Sequence, residues 1–126
     1  MPKIIAFDMD DVICSKDQEW DLSDEGRVGQ YKTCKPAQEM IDIVNKCYDQ
    51  GHRIIIYTAR GFNGFTGNIH QTYANLYPLT LQQLNDWGVK FHELVMGKIY
   101  YDILIDDKAL NSLDVKNIES IEKWLK

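Results

Sequence analysis

Ile4-Ile5-Ala6-Phe7-Asp8-Met9-Asp10-Asp11-Val12-Ile13 is an apolar run that stops abruptly at three carboxylates. Four or five consecutive apolar residues read as a strand buried inside a parallel sheet, and ligands of such sheets bind beyond the carboxyl ends of the strands. The run therefore predicts that Asp8 and Asp10 sit at a site of chemistry. Close carboxylates repel by about 4 kcal/mol per pair at an effective dielectric of about 20, so the cluster calls for a cation or a bound proton. One such cluster is also explained by solvated acids at a strand end, and the rest of the chain has to decide.

Outward from this stretch, Pro36 fits the first turn of a helix, and Ala37, Met40, Ile41, Val44, Cys47 and Tyr48 follow on one helical stripe that Gly51 is placed to end. Arg53-Ile54-Ile55-Ile56-Tyr57-Thr58 reads as a second buried strand, completing a strand–helix–strand crossover and delivering Thr58 and Arg60 to the same sheet edge as Asp8. Residues 80–87 predict a short helix closed by Gly88, and residues 91–96 a weaker strand leading to Gly97-Lys98. Tyr101-Asp102-Ile103-Leu104-Ile105 predicts a further buried strand, ending in Asp106-Asp107-Lys108. Val115, Ile118, Ile121 and Leu125, with Asp114 as cap, predict a C-terminal amphipathic helix. The polar residues 14–35, with Trp20 and Tyr31, and the glycine- and aromatic-rich residues 61–78 read as long excursions beside the acids, the first with a small hairpin. Excursions of that length tend to be lids or binding loops.

The 126 residues predict one domain over 1–126, at 44% hydrophobic and 26% charged an ordinary globular composition. A net charge of −5 argues against a broad basic surface for nucleic acid or anionic membrane. Cys14, Cys34 and Cys47 are odd in number and form no Cys-x-x-Cys, which points to a reducing compartment rather than a disulfide or zinc framework. No signal-peptide core or span of roughly 20 apolar residues is present, so a cytoplasmic protein is expected. His52, His70 and His92 lack metal-ligand spacing.

Acids thus end two predicted strands, with Thr58 after a third and Lys98 before the last. Oxygen ligands in this number suit Mg²⁺, which commonly shares its shell with a substrate phosphate. A carboxylate can attack phosphorus, and a second acid can protonate the leaving oxygen. In that reading Asp8 attacks, Asp10 relays the proton, Thr58 binds phosphoryl oxygens and Lys98 neutralises charge. An ordinary Asp is only about 0.1% protonated at pH 7, so Asp10 would need crowding by other anions to serve as the acid.

These segments resemble the haloacid dehalogenase (HAD) superfamily of aspartyl-phosphate phosphatases. Asp8-Met9-Asp10-Asp11-Val12 matches its Asp-x-Asp-x-Val, Ile55-Ile56-Tyr57-Thr58 its threonine strand, Gly97-Lys98 its lysine, and Leu104-Ile105-Asp106-Asp107 its acidic pair, in the family's order. The resemblance implies a Rossmann-like three-layer α/β sandwich with a mainly parallel sheet. It also implies Mg²⁺ held by Asp8, the Asp10 carbonyl and Asp106, with Asp107 direct or through water. Asp11 stands where many members carry Gly. About 45 residues separate Val12 from Thr58 and about 40 separate Thr58 from Lys98, too few for a full cap domain. The chain in this respect is similar to small capless phosphatases of capsule and lipopolysaccharide sugar biosynthesis.

The motifs read only the phosphoryl group, so the substrate must be read elsewhere. Ala59, Arg60, Phe62 and Phe65 are the candidate substrate contacts, with Arg60 either clamping substrate or pairing with Asp11. Aromatic faces suit a small sugar phosphate, whereas an open site admits nucleotides or phosphoproteins. A neighbouring subunit is one cover open to the site, which leaves room for a homo-oligomer. A two-component receiver uses similar residues in the order acidic pair, phosphoacceptor, Thr, Lys, but here no further Asp ends a strand before Thr58 and the remaining acids follow Lys98; a silent phosphate-binding domain is the other alternative.

Overall fold

The computed structural model describes residues 2–15 and 28–126. Its elements in chain order are β1 (Ile4–Phe7), β2 (Cys14–Ser15), α1 (Val28–Tyr31), β3 (Lys35–Pro36), α2 (Gln38–Asp49), β4 (Arg53–Thr58), α3 (Ile69–Asp86) and β5 (Glu93–Met96). Two 3-10 segments, Ser112–Asp114 and Ile118–Trp124, follow. The protein is a mixed α/β structure around a parallel three-stranded sheet of order β1-β4-β5. Ile4 pairs level with Arg53, and Thr58 with Met96. The strands deliver their carboxyl ends to one edge, as the apolar runs predict.

Both crossovers step the same way along the sheet, which for right-handed connections places α2 and α3 on one face. Asn45 of α2 ties to the end of α3, donating to the Gly88 carbonyl at 3.0 Å and accepting from the Lys90 amide at 2.8 Å. Phe7, Ile54, Ile56, Thr58, Leu94 and Met96 are buried beneath the helices. The opposite face is open: Ile4 is 71% and Tyr57 38% exposed. Strands buried on both faces, as expected from the apolar runs, are therefore not observed; β4 and β5 alternate in burial.

The helix predicted over 80–87 is the last half of α3, which begins at Ile69 and contains Pro78. Thr72, Leu76, Thr80, Gln83 and Leu84 form its buried stripe, so the helical period runs through the proline, and side-chain packing outweighs the backbone hydrogen bond that proline removes. Asn68 caps it, accepting from the Gln71 amide at 3.2 Å. The C-terminal amphipathic helix is instead 3-10 structure, capped by Asn111 and Asn117 rather than Asp114. Buried Ile118 and Ile121, three residues apart, eclipse in a 3-10 helix and pack in the common core.

Residues 101–105 form no strand. Ile103 is 76%, Leu104 47% and Ile105 91% exposed, the reverse of the burial expected. In place of the small hairpin expected within residues 14–35, β2 pairs antiparallel with β3 at the two ends of that stretch, with α1 between them; Trp20 lies outside the described residues. Among the described residues no helix is long and apolar enough to cross a membrane.

Candidate active site

After β1 the chain curls round one carbonyl: the Met9 oxygen accepts from the amides of Val12, Ile13 and Cys14 at 2.9–3.2 Å. Asp11 closes the turn, donating its amide to the Cys14 carbonyl at 2.7 Å with φ +66°. That left-handed backbone favours glycine, but Asp is among the residues that tolerate it, so Asp11 supplies the shape a glycine would. Met9 is fully buried and, because side chains alternate, Asp8 and Asp10 face away from it into a cavity of about 220 Å³.

Asp8 receives its own-turn amide from Met9 at 2.7 Å and the Lys98 ammonium at 3.2 Å. Burial pushes the Asp8 carboxyl up from its ordinary value, against the pull of Lys98. Partial burial alone would lower Lys98, but the Asp8 carboxylate and Tyr101 outweigh it and hold it raised. Lys98 is placed by its amide, which donates to the Thr58 carbonyl at 3.1 Å. Gly97 makes that placement, with φ +91°, and an added Cβ would lie 2.6 Å from Ile69 Cδ1. Thr58, fully buried at the end of β4, also lines the cavity.

Arg60 is 2% exposed and carries the most connected side chain of the site. Its Nε donates to both Asp10 oxygens at 3.2 and 3.0 Å, and Nη2 to Oδ1 at 2.9 Å. Nη1 donates to Thr80 Oγ1 at 3.1 Å and to Gln83 Oε1 at 2.6 Å. The guanidinium lies 4.7 Å from the centre of the Tyr31 ring. Burial works against its charge, yet Asp10 outweighs it and Arg60 is raised. Its partner is thus Asp10, not Asp11 as one expectation had it. Thr80 and Gln83 were not foreseen, although two polar residues on an otherwise apolar helical stripe are a readable signal of a buried polar partner.

Cys14 and Cys34 complete the surroundings of Asp10, their sulfurs 3.5 and 3.7 Å from Oδ1. The Cys14–Cys34 hydrogen bond pushes Cys14 up and draws Cys34 down. Asp10 and the two sulfurs form the group of potential metal ligands found among the described residues. Sulfur donors beside a guanidinium do not fit Mg²⁺. Nor does the wider set: Lys98 occupies Asp8 and Arg60 occupies Asp10. Asp106 and Asp107 are exposed on the surface, where Asp106 accepts from the Lys108 amide at 2.8 Å. Within one chain, the donors expected to hold Mg²⁺ are not gathered.

Ala59, Phe62 and Tyr100 line the same cavity as Asp8, Asp10 and Thr58. Phe65 packs in the core at 8% exposure and does not line it. Gly61, at the start of the second excursion, lies tight under α3: an added Cβ would meet Leu76 Cδ1 at 2.7 Å and Phe65 at 3.1 Å. Tyr31, flagged as a cover, accepts from the Gly61 amide at 3.3 Å.

No family model and no curated protein matches the sequence. Among solved structures, the chain is similar to the crystal structure of an MCSG target from Vibrio cholerae, with 24% identity and a TM-score of 0.77 over 99% of this chain and 97% of that one. At that identity the likeness shows the fold alone.

Proposed function

We propose that the protein is a phosphomonoester hydrolase of the HAD type, acting through an aspartyl-phosphate on Asp8. The observation that carries this reading is Asp8 at the carboxyl end of β1, 3.2 Å from the Lys98 ammonium and facing the cavity that Thr58 lines. An Asp8 oxygen attacks phosphorus, the bond to the leaving oxygen breaks, and Asp10 hands that oxygen a proton. Water then attacks the phosphoryl-enzyme, Asp10 takes the proton back, and phosphate leaves with Asp8 regenerated. Lys98 offsets the negative charge that accumulates between Asp8 and the phosphoryl group, while the Thr58 hydroxyl is available to its oxygens. Both Asp10 oxygens are held as a carboxylate on Arg60, so Asp10 must leave that contact and take up a proton from solvent before it can hand one to the leaving oxygen.

The divalent cation that the resemblance implies requires an acid beyond Asp8 and Asp10, and no step is drawn through it. The substrate class in this reading is a small sugar phosphate of polysaccharide biosynthesis, supported by Phe62 and Tyr100 beside the acids. Turnover of p-nitrophenyl phosphate tests the activity: wild type should hydrolyse it, and folded Asp8→Asn should be inert because an amide is no nucleophile. Substantial turnover by Asp8→Asn would defeat the covalent mechanism. A receiver or silent domain would show no turnover in any sample.

A further inference from the structure

The strongest unexplained feature lies away from the cavity. Residues 102–105 present Ile103 at 76% and Ile105 at 91% exposure, in a chain whose other isoleucines mostly line the core. Among the described residues β1 pairs with β4 alone and no described strand pairs with its other edge; Ile4 of this strand is 71% exposed. A β-forming apolar segment without a partner and a parallel sheet with an unpaired apolar edge are complementary surfaces.

The chain cannot join them by itself. Lys98 is pinned in the β5 column by its amide bond to Thr58 and by its ammonium on Asp8. Four residue steps separate it from Asp102, a reach of at most about 14 Å when fully extended. A strand beyond β1 is three inter-strand spacings from β5, about 14 Å, and Ile4 lies about five rises, roughly 16 Å, below the level of Thr58 and Met96. The diagonal is roughly 22 Å, well beyond that reach. A second copy has no such tether.

We infer that the protein forms a two-fold dimer by exchange of residues 102–105, each copy's segment adding in parallel to the open β1 edge of the other. Pairing Asp102 with Ile4 puts Ile103 beside Ile5 and Ile105 beside Phe7, on the face that the helices cover, and Leu104 beside Ala6 on the open face. The two most exposed isoleucines of the segment thereby become core residues, a consequence of the period of two. The stretch 106–114, exposed except for half-buried Ser112, is long enough, at up to about 3.3 Å per residue, to return Val115, Ile118 and Ile121 to their own core. The same register brings Asp106 of each copy level with Asp8 of the other, supplying the acid missing from the single-chain site. The exchange stands without the phosphatase reading; the composite site rests on it.

Light scattering and cross-linking test the exchange without an activity assay. The full chain should weigh twice its 14.7 kDa at micromolar concentration, and Ile103→Pro and Ile105→Asp should each weigh a single chain while keeping the wild-type circular dichroism. Differently tagged Ala6→Cys and Leu104→Cys chains, mixed and oxidised, should give a reducible heterodimer on a denaturing gel, and Ala6→Cys with Leu110→Cys should not. A wild-type monomer, as a fold-back of the segment onto its own β5 would give, overturns the proposal. So does a dimer that survives both substitutions, or failure of the Ala6→Cys and Leu104→Cys pair to link. For the composite site, co-expressed Asp8→Asn and Asp106→Ala chains should recover turnover that neither has alone, because one of the two sites in a mixed dimer is intact. An active wild type without recovery overturns the composite site, whereas cross-linking with an inactive wild type overturns the phosphatase reading and leaves the exchange standing.

Discussion

Replacing Arg60 with Met removes the cation that pairs with Asp10 among the described residues while keeping most of the side-chain volume. Arg60 is fully buried in its side chain and Asp10 is 20% exposed in its own, so solvent screening is slight. Breaking such a pair leaves an uncompensated carboxylate, which costs about 3–5 kcal/mol, and the partners on Thr80 and Gln83 lose a donor as well. We take about 4 kcal/mol, a large part of the 5–15 kcal/mol that holds a domain of ordinary stability. For a chain of this size that lowers Tm by roughly 12–20 °C. Arg60→Lys keeps the charge without the planar fork and should cost about half as much. The decisive comparison is Arg60→Met with Asp10→Asn: removing both charges should be milder than the sum of the single losses, by about 1–3 kcal/mol of coupling. Urea denaturation of the four proteins measures this. An Arg60→Met loss below about 1 kcal/mol, or strict additivity in the double variant, would refute the pairing as the element that holds Asp10 in place.

Further expectations follow from the neighbouring residues. Asp8 is raised by burial, so the folded state holds its proton more tightly than the unfolded one; that contribution is full below the ordinary carboxyl range and is lost as pH rises through the folded value. Asp8→Asn should therefore be at least as heat-stable as wild type at pH 7, with the difference shrinking toward about pH 4, and a Tm series that rises with pH for wild type relative to the variant would contradict this. Gly97→Ala combines a left-handed backbone with a Cβ 2.6 Å from Ile69, and should lose about 1–2 kcal/mol together with turnover, as Lys98 moves off Asp8. Phe62→Ala should change kcat/KM for sugar phosphates with little loss of stability, whereas Phe65→Ala, a core truncation, should cost about 3–5 kcal/mol; equal stability losses would place Phe62 in the core instead.

What the sequence makes legible are the features specified by neighbours in the chain. The run Ile4 to Phe7 and the run Arg53 to Thr58 become strands whose ends bring Asp8 and Thr58 to one cavity, and Gly51, with φ +93°, follows α2 where the helical stripe stops. Asp8 and Lys98, ninety positions apart, meet because both follow parallel strands, and parallelism is implied by the crossovers. The start of α3 is hidden because Pro78 punctuates a stripe that also contains Thr72, Thr80 and Gln83, polar residues whose burial makes sense only once Arg60 is seen among them. Phe62 and Phe65 are equivalent in composition and spacing, and only the position of α3 above Gly61 sends one to the cavity and the other to the core.

The predicted strand over 101–105 is the most informative difference. Apolar alternation reports what a segment requires, an edge to pair with and a core to face, but says nothing about whether its own chain has an edge within reach. Lys98 decides that: held at Thr58 and Asp8, it sets the start of the segment on the wrong side of the sheet, and only a few residues remain to cross it. The same side chain that neutralises Asp8 therefore directs Asp106 and Asp107 away from it in the single chain. With each acid of the cavity already paired, Asp8 to Lys98 and Asp10 to Arg60, the isolated site is electrostatically satisfied and has no unmet demand for a cation. An acid arriving from a second copy would restore that demand, which couples association to cation binding: Mg²⁺ should tighten the dimer, and dilution to monomer should weaken Mg²⁺ by the same factor.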